Sequence, residues 1–398
     1  MGAITGALER VLPLEGPYPL TAARLVEALA GRASATGRAV NADSALGIAA
    51  VYSSVRVITD AVSSLPLFVY RRLQPRGREH ATGHPLYDLL HGAANPYMTT
   101  MQFRETLQGH MLLWGNAFAN IERDGAGRIV ALWPLRPQDV VRIERSQAGT
   151  LLYIYRVPSR AAVPLSTSID MSGGEPGTTV AIPQRDMFHI RGFSPDGVLG
   201  YLPMALHREP LGLAMAAEEY GARFFSNGAE PRGVLKSKSR LSEQALANLK
   251  ESWAAAHQGL TQAHRIAILE EGVEWTQIAG NPQNTQLNET RQFQLTEISR
   301  IFRVPPHKIS DLNRATYSNI DKQALEFVVD SLRPWLVRWE QQIHLSLMTP
   351  TERRLFYAEH EMNALLRGTP RERADFYAKG KQWGWFSTND IRELENLD

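Results

Sequence analysis

The stretch from Asn284 to Met348 constrains this chain more than any other, because it reads as helix, double proline, polar loop and long helix. Apolar residues recur at Leu295, Ile298, Ile301 and Phe302, a helical spacing, behind polar turns (Asn284, Thr285, Gln286, Asn288, Glu289). Arg300 and Arg303 fall in the last turn, where cations suit the helix dipole, and Val304-Pro305-Pro306 stops the helix. His307 to Tyr317 is too polar to pack into a core. Ser318 and Asp321 form a capping-box pattern that opens the next helix. That helix carries an i, i+4 ladder of Ile320, Ala324, Val328, Leu332, Trp335, Trp339, Ile343 and Leu347. Pro334 predicts a kink and not a stop, because the ladder continues beyond it. An exposed polar loop at the entrance to a long helix suits a chain that presents the loop to something moving past.

The remaining sequence predicts a mixed, α+β protein. Residues 1–43 are rich in Ala, Gly and Pro and read as a flexible arm. Ser44 is expected to cap the first firm helix, with the stripe Ile48, Val51, Val55, Ile58, Val62 and Leu65, before Pro66 and a strand from Leu67. Thr99 and Gln102 predict a second capped helix with Phe103, Leu107, Met111 and Trp114 on one face, closed by Gly115-Asn116. Strands follow at 117–123, 129–133, 140–144 and 151–157, joined by turn residues that predict antiparallel hairpins. Residues 158–177 read as a surface excursion, and 187–190 as a returning strand. A helix is expected to start at Pro210 and end at Asn227-Gly228. Strands are expected at 233–235, 265–269 and 273–277, the last two joined at Glu271-Gly272, with a helix over 243–257. The C-terminal piece predicts a strand at 355–358, a helix at 371–382 and a third capping box at Ser387 and Asp390.

Catalytic signatures are absent from the sequence. Gly380-Lys381 is followed by Gln382 and lacks the upstream glycine of a phosphate loop, Gly125-Ala126-Gly127 lacks the third glycine of a dinucleotide fingerprint, and no Gly-x-Ser-x-Gly elbow occurs. His360-Glu361 starts a zincin-like pattern, but Ala364 stands where the second histidine belongs. His80, His84 and His91 read as ordinary surface histidines, because Pro85 interrupts any helix that would align the first two. The adjacent pairs Glu218-Glu219 and Glu270-Glu271 point apart on a helix or strand. With no cysteine there is no thiol nucleophile, disulfide or cysteine zinc site. The expectation is therefore no enzyme, no cofactor and no metal. No run reaches transmembrane length, since Arg56 and Asp60 interrupt the most apolar one, and the N-terminus lacks a secretory pattern. The balance of 43 Lys+Arg against 41 Asp+Glu lacks the basic excess of a dedicated DNA-binding domain; it is compatible with a conduit for DNA but does not point to one.

The strings Ile298-Ser299-Arg300-Ile301-Phe302-Arg303-Val304-Pro305-Pro306 and Arg314-Ala315-Thr316-Tyr317-Ser318-Asn319-Ile320 resemble the portal-protein family of long-tailed (siphovirus-type) bacteriophages, prophages and gene transfer agents. Arg191-Gly192-Phe193-Ser194-Pro195-Asp196-Gly197 and Glu218-Glu219-Tyr220-Gly221-Ala222-Arg223-Phe224-Phe225 are similar to the same family. The resemblance implies a portal fold: a mixed α/β wing at 44–202, stem helices at 203–228 and 284–304, and a small α/β clip at 229–283. It further implies a tunnel loop at 305–318, a long kinked wing helix at 319–348 and a C-terminal wing with short crown at 349–398. It implies a homo-oligomeric ring, of twelve copies in the family, at one capsid vertex of a virion or phage-like particle assembled in the bacterial cytoplasm. Double-stranded DNA would pass through without sequence specificity. Lys308, Asn313, Arg314, Thr316 and Tyr317 would line the channel, with Lys308 and Arg314 on phosphates. Lys236, Lys238 and Arg240 would make the clip's partner contact. The partners implied are the terminase large subunit, the head-tail adaptor and the major capsid protein. The alternatives from other classes are a DNA-packaging nuclease or ATPase, or a different head-tail connector.

Overall fold

The computed structural model describes residues 33–145, 149–158, 179–226, 233–237, 243–244, 247, 273–277, 283–309, 325–362 and 370–395. These fall into two compact units, one of residues 56–201 and 325–395, the other of residues 33–55 and 202–309. Among the described residues no helix is long and apolar enough to cross a membrane.

The first unit is built from small antiparallel sheets with helices between them. Leu67–Arg72 lies between Phe356–His360 and Arg78–His80, so one sheet joins chain segments nearly three hundred residues apart. Asn116–Arg123 lies between Met187–Arg191 and Ile129–Leu135, and Leu151–Arg156 between Val140–Arg145 and Thr179–Pro183. The expected hairpins at 116–135 and 140–156 are therefore present. Helix Thr100–Trp114 starts from the Thr99/Gln102 capping box and ends on Gly115 in the left-handed region at φ 66°. Its Phe103, Leu107 and Met111 are buried as the spacing predicts. The long helix turns Trp339 into this core, fully buried, edge-on to Phe103 at 6.3 Å and tilted on Phe188 at 6.0 Å. Its indole N–H donates to Gln108 Oε1 at 3.0 Å. Next to it, Glu340 Oε1 accepts from both the backbone N–H and Nδ1 of His360, at 3.0 and 2.9 Å, tying the outer strand of the sheet to the helix.

Ahead of Pro334 the long helix is not α-helical. Phe327–Leu332 is a π-helix, and the N–H of Arg333 reaches five residues back to Val328. The proline has no donor, and its ring would press on the carbonyl four residues earlier; widening the preceding turn relieves both problems. Regular α-helix continues over Arg333–Ser346. The ladder residues Val328, Leu332, Trp339, Ile343 and Leu347 are buried, whereas Ile320, Ala324 and the Ser318/Asp321 capping box lie outside the described residues.

A second buried polar chain fixes the turn after Met187–Arg191. Asn116 Nδ2 donates to the carbonyls of Trp114 and Gly200, both at 3.0 Å, so its Oδ1 must accept, from Gly200 N–H at 2.8 Å and from His189 Nε2 at 3.1 Å. That assignment puts the proton of His189 on Nε2, leaving Nδ1 to accept from the Tyr153 hydroxyl at 3.2 Å. Gly200 is required here, because a Cβ would sit 2.1 Å from the Gly115 carbonyl oxygen.

In the second unit, helices Arg208–Ser226 and Gln283–Phe302 pack together. Buried positions include Leu211, Ala214, Ala217 and Gly221 on one and Gln294, Ile298, Ser299 and Phe302 on the other. Strands Gly233–Ser237 and Val273–Gln277 pair antiparallel, so 273–277 has a described partner at 233–237; the strand expected at 265–269 lies outside the described residues, as does most of the helix expected over 243–257. Four expectations need correction. Ser44 is not the N-cap of the first long helix: Asn41 caps a short helix, Ala42–Leu46, with Ser44 at its third position, and Ala49–Ser64 follows. Pro210 does not start its helix, which begins at Arg208 after a separate turn at Pro203–Leu206; a proline in the first helical turn costs no bond. Residues 33–39 are not loose but form a tight turn, bridged Ala33 to Ala39, on helix Arg208–Ser226. Glu209 accepts from Ala35 N–H at 2.8 Å, Thr36 Oγ1 donates to the Gly212 carbonyl at 3.1 Å, and Arg38 pairs with Glu219. Finally, His84 is no surface residue: its Nδ1 caps helix Pro85–His91, its side chain is buried and its Nε2 lies 3.4 Å from Glu352, while His80 and His91 flank Phe68.

Helix Gln283–Phe302 ends by a route that its sequence does not announce. Arg303 adopts φ 55°, the one non-glycine positive φ among the described residues. The N–H of Val304 bonds the Ser299 carbonyl at 3.0 Å and that of Arg303 the Arg300 carbonyl at 3.2 Å, a Schellman closure with arginine where glycine is usual. Val304, 2% exposed, supplies the accompanying apolar contact surface beside Ile298, and Pro305 prevents continuation.

Arg303→Gly should be more stable than Arg303→Ala by about 1 kcal/mol in chemical denaturation, since both delete the side chain and only glycine relieves the left-handed strain. Gly212→Ala, stabilising at an ordinary helical site, should instead destabilise by about 1–3 kcal/mol, because its Cβ would lie 2.1 Å from Ser34 Oγ. Faster proteolysis near residues 33–39 would report the same clash. Burial holds His189 well below and His360 below the usual histidine range, and pushes His110 down to about 4. The unfolded chain takes up these protons near 6.5 and the folded chain does not, so stability should fall as pH drops from about 6.5 towards 4. Lower denaturation midpoints at about pH 5 than at about pH 7 would show it.

Candidate nucleic-acid interface

The candidate interface starts where helix Gln283–Phe302 closes. Beyond the Arg303 turn, Pro306–Ile309 forms a short 3₁₀ turn, its N–H of Lys308 bonded to the Pro305 carbonyl at 2.9 Å. Lys308 is exposed, as are Arg300 and Arg303; His307 is half-buried between them in sequence. Arg300 pairs with Glu297 one turn back. Over residues 297–309 three cations stand against that one carboxylate, an excess as large as the net +2 of the whole chain. The near-neutral total therefore conceals a local basic point at a helix C-terminus, where the dipole also favours cations. Exposed cations at a helix end can meet phosphates without reading bases.

Of the residues singled out for the channel, only Lys308 is among those described; Asn313, Arg314, Thr316 and Tyr317 lie outside them. Of the proposed partner contact, Lys236 sits in strand Gly233–Ser237 opposite Glu274, while Lys238 and Arg240 lie outside the described residues. Lys236 and Lys308 thus stand on separate elements of one unit. Among the described residues no group of three or more histidines or acids is placed to hold a metal ion. The sequence signal that would have exposed the local basic point is charge counted in short windows instead of over the whole chain.

The profile of the phage portal protein family matches residues 49–396. The chain is 34% identical over 373 residues to a probable portal protein of Streptomyces phage phiC31, covering 92% of this chain and 78% of that one. It is 30% identical over 364 residues to the portal protein of Enterobacteria phage HK97, covering 90% and 80%. Its fold is that of a chain in the neck of an empty gene transfer agent particle computed with C6 symmetry, at a TM-score of 0.63, 22% identity and 99% of both chains. With a profile match over most of its length and two such relatives, this chain belongs to the phage portal protein family.

Proposed function

We propose that copies of this portal protein close into a ring, of twelve by family resemblance, around a channel for double-stranded DNA at one vertex of a virion or phage-like particle. Residues 305–318 are its tunnel loop. The observation that carries this reading is the end of helix Gln283–Phe302: a Schellman closure and two prolines stop the helix and leave Lys308 exposed just beyond it. Each copy adds the same small cationic excess to the channel wall. Repetition around the ring gives a weak, sequence-independent hold on phosphates, and the near-neutral remainder keeps that hold from arresting the DNA. Lys308 and Arg314 touch phosphates; Asn313, Thr316 and Tyr317 shape the loop.

On this reading helices 203–228 and 284–304 form the stem, 229–283 the clip, 44–202 and 319–348 the wing, and 349–398 the rest of the wing and a short crown. The clip, through Lys236, Lys238 and Arg240, docks the terminase large subunit during packaging and the head-tail adaptor afterwards, and the wing meets the major capsid protein. Assembly takes place in the bacterial cytoplasm. Energy for translocation comes from the terminase, and the portal performs no chemistry.

Purified chain should form closed rings in negative-stain micrographs; a strictly monomeric species under assembly conditions contradicts the reading. Lys308→Glu with Arg314→Glu should leave the rings intact and reduce DNA-filled particles by about tenfold, because the change is repeated in every copy. Normal DNA content in such particles would show that these side chains are not used in the channel.

A further inference from the structure

The C-terminal helix pair, Pro370–Gln382 and Thr388–Leu394, is a structured element with an apolar face that no other described residue covers. Phe386 lies over Gly380, where a Cβ would come within 2.3 Å of the ring, and contacts Phe376 and Tyr377. Glu395 accepts from Arg373 at 3.1 Å and from the Tyr377 hydroxyl at 2.7 Å, and Ser387 and Asp390 cap the second helix. Gly384 at φ 74° closes the first helix, with Trp385 N–H on the Gly380 carbonyl at 2.7 Å and Gly384 N–H on that of Lys381 at 3.3 Å. This closure holds two tryptophans out: Trp383 is 70% and Trp385 68% exposed, and Phe376 53%. Phe376, Lys379 and Trp383 follow one another at i, i+3 and i+7, so aromatic rings and a lysine share a face, with Asp375 one turn back and Lys381 on the far side of the helix. Two tryptophans locked in place by a structured turn lose little entropy on binding, which is the character of an interface anchor and not of a solvated surface.

The same unit carries a face of opposite charge. Around the π-turn, burial repeats every four residues: Phe327, Val328, Ser331 and Leu332 point inward, and Leu325, Glu326, Val329 and Asp330 are exposed. Leu325 at 52% and Val329 at 44% make an apolar strip flanked by two carboxylates, with Arg333 a turn beyond. One face is aromatic and basic, the other aliphatic and acidic. Since both are exposed in a single copy, neither covers the other within it.

We propose that the tryptophan-bearing C-terminal helix pair of one copy docks on the 325–330 face of the neighbouring copy, Trp383 and Trp385 against Leu325 and Val329, Lys379 against Glu326 and Asp330. This rests on the ring reading above. Each copy then offers one face and receives the other, a head-to-tail contact that closes only in a ring. The contact joins the crown-side end of one subunit to the start of its neighbour's long helix, next to the chain that forms the loop.

Charge exchange tests it. Lys379→Glu should raise the concentration for half-maximal ring assembly by about fivefold or more, measured by mass photometry. Glu326→Lys with Asp330→Lys should do the same, and the three changes together should restore assembly to within about threefold of the parent. A combined variant no better than either parent variant overturns the docking. Because the chain has no cysteine, Val329→Cys with Trp383→Cys provides a second readout that does not depend on charge. Oxidised rings should give a ladder of covalent oligomers on a denaturing gel, where each single-cysteine variant stops at dimers. Intact rings without the ladder overturn the docking and leave the ring reading standing; a parent chain that never forms rings overturns both.

Discussion

A long helix can hold the chain that precedes it only if its own far side is anchored, and the anchor here is Trp339. The ring fills the space between Phe103 and Phe188, and its one polar atom is satisfied by Gln108. Truncating a side chain of this size in a core costs about 3–5 kcal/mol, a large part of the net stability of any domain. The next residue, Glu340, binds the outermost strand through His360, so the same helical turn that enters the core also clamps the sheet edge. Buried Arg104 adds a third tie, donating to the Leu65 carbonyl at 2.6 Å at the end of helix Ala49–Ser64. Elements far apart in sequence thereby become one frame around the long helix.

What the sequence made legible was local and periodic. The capping boxes at Thr99/Gln102 and Ser387/Asp390 were readable because both partners lie within four residues, and the stripe Ile48 to Leu65 because burial follows the α-helical repeat. The misses share a different cause. Asn41 and Ser44 are both good capping residues, and the structure uses them together in one reciprocal box, Asn41 as the cap and Ser44 at the third position. The turn at residues 33–39 is held by Glu209 and Gly212, more than 170 positions away, which no local pattern displays. The four-residue repeat around the π-turn imitates a noisy α-helix. An arginine in the left-handed region leaves no mark at all, and Arg303 is legible only from coordinates. The strings that resembled the family proved a sounder guide to membership than any single helix assignment, since a profile match spans residues 49–396.

Charge is distributed in keeping with transport of a polyanion. A chain with a net charge of +2 would ordinarily be set aside as a nucleic-acid binder. Yet the excess over residues 297–309 equals that total, so the rest of the molecule is balanced. Among the described residues several other cations are paired: Arg123 and Arg185 flank buried Asp186, Arg136 and Arg156 flank buried Asp139, and Arg78 meets Glu359 across the sheet. Pairing of this kind contributes modestly to stability and lowers the competition for phosphate at those positions.

The π-turn ahead of Pro334 has a geometric consequence of its own. An extra residue within one turn offsets the faces before and after it by about 100° from where an unbroken α-helix would put them. Removing a single residue between Phe327 and Leu332 would swing the Leu325–Glu326 step through roughly a quarter of a revolution. The bearing of the Leu325–Glu326 step is thus encoded in the length of a half-buried turn, so that its heading and its side-chain chemistry can evolve as separate variables.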